Sequence, residues 1–98
     1  MEIDGEIVSR KYTPVSQINE KGVVVFVIKV YRKTDEFPKG GKMSQALEHS
    51  NAGDKVKMEG PKGLLSYIGN GNFLIKNKPV KKTKIGLIAG GTGLTPIY

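Results

Sequence analysis

The chain has 98 residues, one histidine, no cysteine and a formal net charge of +7, enough for one domain with a modest core and not for two. Disulfides and thiolate metal sites are excluded, and a lone His49 builds no metal centre. The longest apolar run, Val23 to Ile28, falls far short of the roughly 20 residues of a membrane-spanning helix, and an opening with Glu2 and Asp4 is not that of a secretory signal.

In chain order, Ile3-Asp4-Gly5-Glu6 reads as a hairpin turn, with Ile7 to Tyr12 as the outgoing strand. Asn19-Glu20-Lys21-Gly22 is a second turn, followed by a β-branched strand over Val23 to Tyr31. Its period of two places Val27, Lys29 and Tyr31 on one face. Phe37-Pro38-Lys39-Gly40-Gly41 is a loop, and Lys42 to His49 is the one expected helix before residue 90. Val56 to Glu59 alternates as a half-exposed strand, and Gly60-Pro61-Lys62-Gly63 breaks it. Leu64 to Tyr67 and Asn72 to Ile75 form a hairpin across Gly69-Asn70-Gly71, and residues 76–84 are a lysine-rich linker or protruding loop. From Ile85 an apolar strand runs into Gly90-Gly91-Thr92-Gly93-Leu94-Thr95-Pro96.

Charge is distributed unevenly along this order. All nine acidic residues lie at or before Glu59, while residues 60–98 hold six lysines and no carboxylate. Such a field suits an acidic protein, an anionic membrane face, a phosphate-rich cofactor or nucleic acid, or else a solvated basic loop.

Three segments are suited to a phosphate or a flavin. Arg10 and Tyr12 share a strand face, so a fixed bidentate cation stands beside an aromatic surface, and Thr13 adds a hydroxyl. Gly40-Gly41-Lys42-Met43-Ser44 leads a glycine pair into the helix, where amides, the Lys42 ammonium and the Ser44 hydroxyl could seat an anion. Helix capping by Ser44 is the competing reading. The Gly90-to-Pro96 turn follows a strand as a dinucleotide site would, but it is not the G-x-G-x-x-G fingerprint.

Taken in order, these segments resemble the NADH–cytochrome b5 reductase family, within the ferredoxin-reductase-like flavoproteins that include the flavin module of nitrate reductase. The resemblance is carried by Arg10-x-Tyr12-Thr13-Pro14-Val15-Ser16, Ile28-Lys29-Val30-Tyr31, Phe37-Pro38-x-Gly40-Gly41-Lys42-Met43-Ser44-Gln45, Gly60-Pro61-x-Gly63-Leu64-Leu65 and Ile88-Ala89-Gly90-Gly91-Thr92-Gly93-Leu94-Thr95-Pro96. It implies a mainly β fold: an incomplete antiparallel FAD-binding barrel with one short helix, then the first strand and glycine-rich turn of an α/β NAD-binding domain. The implied division is a partial barrel over residues 1–78, a basic linker over 79–84, and the start of the NAD-binding domain over 85–98.

The resemblance also implies roles. Arg10 neutralises the FAD phosphates and Tyr12 packs near the isoalloxazine. Thr13 sits by the flavin's reactive edge. Val27 and Lys29 line the flavin pocket, with Tyr31 among the cofactor-binding residues, and Lys29 also meets the nicotinamide, so that Thr13 and Lys29 are the catalytic candidates. Gly41, Lys42, Met43 and Ser44 seat the pyrophosphate. Gly90, Gly91, Thr92 and Gly93 let NADH approach, and Thr95 reaches back to the flavin. FAD and NADH are the implied cofactors, with no metal. The implied partner is an acidic haem protein such as cytochrome b5, and the implied location is intracellular, at the cytoplasmic face of endoplasmic reticulum or mitochondrial membranes, or mitochondrial.

Two local departures stand out: Lys11 replaces a usual proline, and Arg32 stands where relatives stack a phenylalanine on adenine, a contact a guanidinium plane can also make. Relatives carry further barrel strands before Ile3 and a nicotinamide domain after Pro96. The chain alone is therefore expected not to sustain turnover. The rival reading is a catalytically incompetent structural subunit whose open barrel edges pair with other chains of a larger complex. A nucleic-acid-binding barrel is disfavoured, because three Phe and four Tyr are scattered rather than gathered on one basic groove. Membrane association is expected only through other regions or partners.

Overall fold

The computed structural model describes all residues, 1–98. It contains β1 (Glu2–Ile3), β2 (Glu6–Ile7), α1 (Lys42–Glu48), β3 (Leu65–Gly69), β4 (Asn72–Ile75), β5 (Lys78–Lys81) and a 3₁₀ turn at Gly91–Leu94. None of its helices is long and apolar enough to cross a membrane. The chain divides into two units, residues 1–57 with 89–98, and residues 58–88.

In the first unit, β1 and β2 pair antiparallel with Ile3 opposite Glu6. The two connecting residues, Asp4 and Gly5, have φ of 52° and 76°, the left-handed pair that a tight hairpin of matching twist demands. Met1 and Val8 exchange a further pair of hydrogen bonds at 2.8 and 3.0 Å. Helix α1 packs on β1, and the core is small: Val8, Met43 and Ser44 are the buried side chains.

The expected strand over Val23–Tyr31 does not form a ladder, and Ile7–Tyr12 enters one only at Ile7. A strand needs a partner for its N–H and C=O groups, and here the partners are few. Val15 N–H donates to Val25 C=O at 2.8 Å, and Val25 N–H to Ser16 Oγ at 3.0 Å. The side chains nevertheless alternate as in a strand: Phe26, Ile28 and Val30 are half-buried, while Val25, Val27, Lys29 and Tyr31 are exposed. Val56–Glu59 and the segment from Ile85 to Gly90 also lack a ladder, so the strand expected at Ile85 is absent and Ile85, Leu87 and Ile88 stand exposed.

The second unit is a three-stranded antiparallel sheet in the order β3-β4-β5. Tyr67 opposes Phe73, which opposes Val80, and the Tyr67 and Phe73 rings meet at 4.8 Å. The hairpin expected at Gly69-Asn70-Gly71 is present, with a register shift between Tyr67 and Gly69. Residues 79–84, read as linker from sequence, instead contribute most of β5. Pro79 is tolerated because β5 is an edge strand, where a missing N–H faces no neighbour.

Candidate functional site

The site is built where the segment 23–32 meets the loop leading into α1. Gly41 N–H donates to Tyr31 C=O at 2.7 Å, and Tyr31 N–H donates to Ser44 Oγ at 3.1 Å. The Ser44 hydroxyl in turn faces Gly41 C=O at 3.4 Å. Gln45 completes the clamp, its Nε2 donating to Lys39 C=O at 2.9 Å and Gly41 C=O at 3.1 Å. The loop, the helix start and residue 31 are thus one hydrogen-bonded body. Ser44 is not the helix cap: no side chain caps Gly41, and the buried hydroxyl serves the Tyr31 amide instead.

This clamp leaves Val27, Lys29 and Tyr31 open on one side, with the Lys29 ammonium 5.2 Å from the Tyr31 ring centroid, a cation–π arrangement. Arg32 points the other way into an ion pair, its Nη2 donating to Glu48 Oε1 of α1. Lys42, at the first turn of α1, is ion-paired through Nζ with Glu6 Oε2 of β2. Arg10 acts on that same carboxylate. Lys42, first through its hydrogen bond and then through its charge, and Arg10 by charge alone, hold the Glu6 carboxyl below the usual glutamate range. Of the two cations only Lys42 is ion-paired with Glu6; Arg10's only hydrogen bond is to the neighbouring Ser9 C=O at 2.7 Å.

The remaining expected residues are placed less tightly. Tyr12 and Thr13 are exposed on the segment after β2 and make no side-chain hydrogen bond. Gly90 to Gly93 wind through the 3₁₀ turn, with Thr95 Oγ1 facing Thr92 C=O at 3.5 Å. Side chains added at Gly90, Gly91 or Gly93 would meet nothing within 4 Å. At Gly41, by contrast, an added Cβ would fall 2.6 Å from Ser44 Oγ and 2.9 Å from Tyr31 Cβ. Packing within the chain explains Gly41 and does not explain Gly90 or Gly93.

Sequence reasoning missed Glu6, Glu48 and Gln45. Glu6 looks like a turn-flanking residue and lies 36 positions from Lys42, a distance over which no periodicity connects two charges. Gln45 and Glu48 look like ordinary polar helix positions. The Gln45 bond to Gly41 was the more accessible, since a long amide one turn after a glycine pair can reach back to its carbonyls.

Comparison with known proteins decides the family. The profile of the oxidoreductase FAD-binding domain matches residues 1–67. The chain belongs to that family. It is 52% identical to NADH-cytochrome b5 reductase 3 of Rattus norvegicus over 97% of its own length and 34% of the relative's. It is 44% identical to the NADH nitrate reductase of Cucurbita maxima over 98% of itself and 11% of that protein. Among solved structures it superposes on the cytochrome b5 reductase domain of Ulva prolifera nitrate reductase with a TM-score of 0.88 and 39% identity, covering 94% of this chain and 36% of the other. The chain spans about a third of the length of the reductases it matches. The fold class is accordingly mainly β, an incomplete ferredoxin-reductase-like barrel with one short helix.

Proposed function

We propose that this chain is the flavin-holding portion of an NADH-dependent reductase that passes electrons through FAD to a haem protein of the cytochrome b5 kind. The observation that carries the reading is the hydrogen-bonded clamp of Gly41 and Ser44 on Tyr31, which fixes Lys42 at the start of α1 and leaves Val27, Lys29 and Tyr31 exposed. A lysine that already holds a carboxylate fits a phosphate, and an exposed apolar and aromatic face fits a planar ring. FAD, when bound, supplies the redox chemistry, accepting a hydride and releasing electrons singly.

The chain's own residues then bind and orient. Arg10 and Lys42 neutralise the diphosphate, with Met43 and Ser44 holding the helix start in place from their buried positions. Tyr12, Val27 and Tyr31 offer surface to the ring system. Thr13 and Lys29, both exposed, are the groups available to the reactive edge and to the nicotinamide. The open space at Gly90 and Gly93 admits a nucleotide close to the backbone, with Thr92 and Thr95 lining the same turn. Arg32, held by Glu48, presents a guanidinium plane to the adenine. Residues 1–78 belong to the flavin-binding part and 85–98 to the start of the nicotinamide-binding part. The lysines at 76, 78, 81, 82 and 84 favour an acidic haem partner by charge complementarity.

A second reading, a structural subunit of a larger assembly, is favoured by one observation. The chain exposes 9160 Å², against about 5,500 Å² for a folded monomer of this mass, and Val23, Val25, Val27, Ile85 and Ile88 are among the apolar residues left uncovered. The absorption spectrum separates the two readings. A chain that becomes yellow with stoichiometric FAD supports the first, and a colourless chain stabilised only by partner proteins supports the second. Under the flavin reading Arg10→Ala removes a charged hydrogen-bonding partner worth about 1.5–3 kcal/mol and weakens FAD roughly ten-fold or more; unchanged flavin occupancy in a titration would remove Arg10 from the site.

A further inference from the structure

We propose that Glu6 is a built-in competitor for the cofactor's phosphates, an intramolecular anion that holds Lys42 and must swing away before a phosphate can take its place there. The inference rests on the flavin reading for the identity of the ligand, and on the ion pair for its geometry. Glu6 Oε2 meets Lys42 Nζ directly in an ion pair. Glu6 stands on β2 opposite Ile3, and β1 is the strand on which α1 packs. The hairpin therefore carries the carboxylate to the helix start as a unit rather than by chance of a flexible tail.

Nothing in the fold requires a carboxylate at this position. The side chain is exposed and covers no core residue, and the hairpin register is set by backbone bonds and the Asp4-Gly5 turn. Beyond a modest, solvent-screened ion pair, its consequence is to lower the positive charge that an incoming phosphate meets. Because the Glu6 side chain is largely exposed and that of Lys42 more than a third exposed, displacement is easy: the pair is solvated and screened, so it tunes affinity without abolishing it. A site with an internal counter-anion also discriminates by charge. A diphosphate offers more charge than one carboxylate and displaces it, whereas a singly charged anion gains little by exchange.

The test uses the 98-residue chain, with FAD and inorganic pyrophosphate as separate probes, titrated at one ionic strength. Glu6→Gln keeps the shape and removes the competing charge, so it is expected to tighten both probes about two- to five-fold, the size of an exposed ion pair. Glu2→Gln, on the same hairpin but without an ion pair, controls for net charge and is expected to change neither. In a Lys42→Gln background the gain from Glu6→Gln should shrink, because the pair is already broken. Equal affinities for wild type and Glu6→Gln, with FAD still bound, would overturn the competitor and leave the flavin reading intact. A gain equalled by Glu2→Gln would reduce the effect to bulk charge and overturn it as well. Failure of both probes to bind any variant would overturn the Lys42 seat itself and the flavin reading with it.

Discussion

The two glycine-led turns of this chain look alike as sequence and differ in what makes them glycine. At Gly40-Gly41 the neighbours are the chain's own atoms. A Cβ at Gly40 would stand 2.6 Å from Tyr31 C=O and 2.6 Å from Gln45 Nε2, with φ at +63°. At Gly90 and Gly93 a Cβ would meet nothing within 4 Å. One turn is filled by internal packing, and the other is open. Glycine in the first is needed for folding, because the loop must press against residue 31 to bring Lys42 and Ser44 into place. In the second turn the left-handed φ of +54° accounts for Gly91, while Gly90 and Gly93 have no packing neighbour in this chain, as the nucleotide approach proposed above requires.

The sharpest way to break this contrast is Gly40→Ala. It forces an L side chain into the left-handed region, about 1–2 kcal/mol, and drives Cβ into backbone, about 1–3 kcal/mol more by analogy with overpacked sites. The expected loss is about 3 kcal/mol. The local readout is exchange of the Gly41 amide, which donates to Tyr31 C=O at 2.7 Å; its protection should fall about a hundred-fold, or vanish where the loop is held by less than that. Unaltered protection would mean that the loop and residue 31 are not packed as one body.

A smaller effect probes what the closed turn holds in place. The Glu6 carboxyl is held below its ordinary range by Lys42 first and Arg10 second. A lowered folded-state value means the unfolded chain binds the proton more readily, so the pair stabilises the fold above the ordinary glutamate range. That contribution is lost as pH falls through the lowered value. The stability difference between wild type and Glu6→Gln should therefore be present at neutral pH, shrink below about pH 4, and shrink with added salt at neutral pH. A difference that persists at acid pH would show that the carboxylate does not act through its charge.

How much of this was legible in the sequence depends on how local each signal is. The Asp4-Gly5 hairpin, the Gly69-Asn70-Gly71 hairpin and the helix from Lys42 are set by turn chemistry and short-range pattern, and all three are present. The Val23–Tyr31 segment, nearly continuous in apolar residues, shows the facing of a strand from Val25 onward but not the ladder, because pairing depends on a second strand that no local pattern can supply. Strand β5 was hidden for the opposite reason. Lys78-Pro79-Val80-Lys81 has a poor strand composition, yet it is recruited by β4, with Val80 set against Phe73. In the site, the motif residues Arg10 and Lys42 could be named from order alone. The Lys42 partner Glu6 could not, since only the packing of α1 on the first hairpin brings residue 6 to residue 42.

The smallest expected effect bears most directly on the open turn. Gly93→Ala adds a methyl group where the chain itself offers no contact, at a residue inside the 3₁₀ turn whose φ is not in the left-handed region. Alanine there narrows the unfolded ensemble without straining the fold, so stability should be unchanged or rise by up to about 1 kcal/mol. A urea titration followed by tyrosine emission reads this directly, Tyr98 lying just beyond the turn. Under the proposed function the same methyl group stands in the path of the nucleotide, so a fold left intact should be accompanied by weaker NADH binding in the complete reductase. The two outcomes must separate for the contrast to hold. If Gly93→Ala destabilised the chain by as much as Gly40→Ala, both turns would be packing turns, and the open space beside Gly93 would carry no functional meaning.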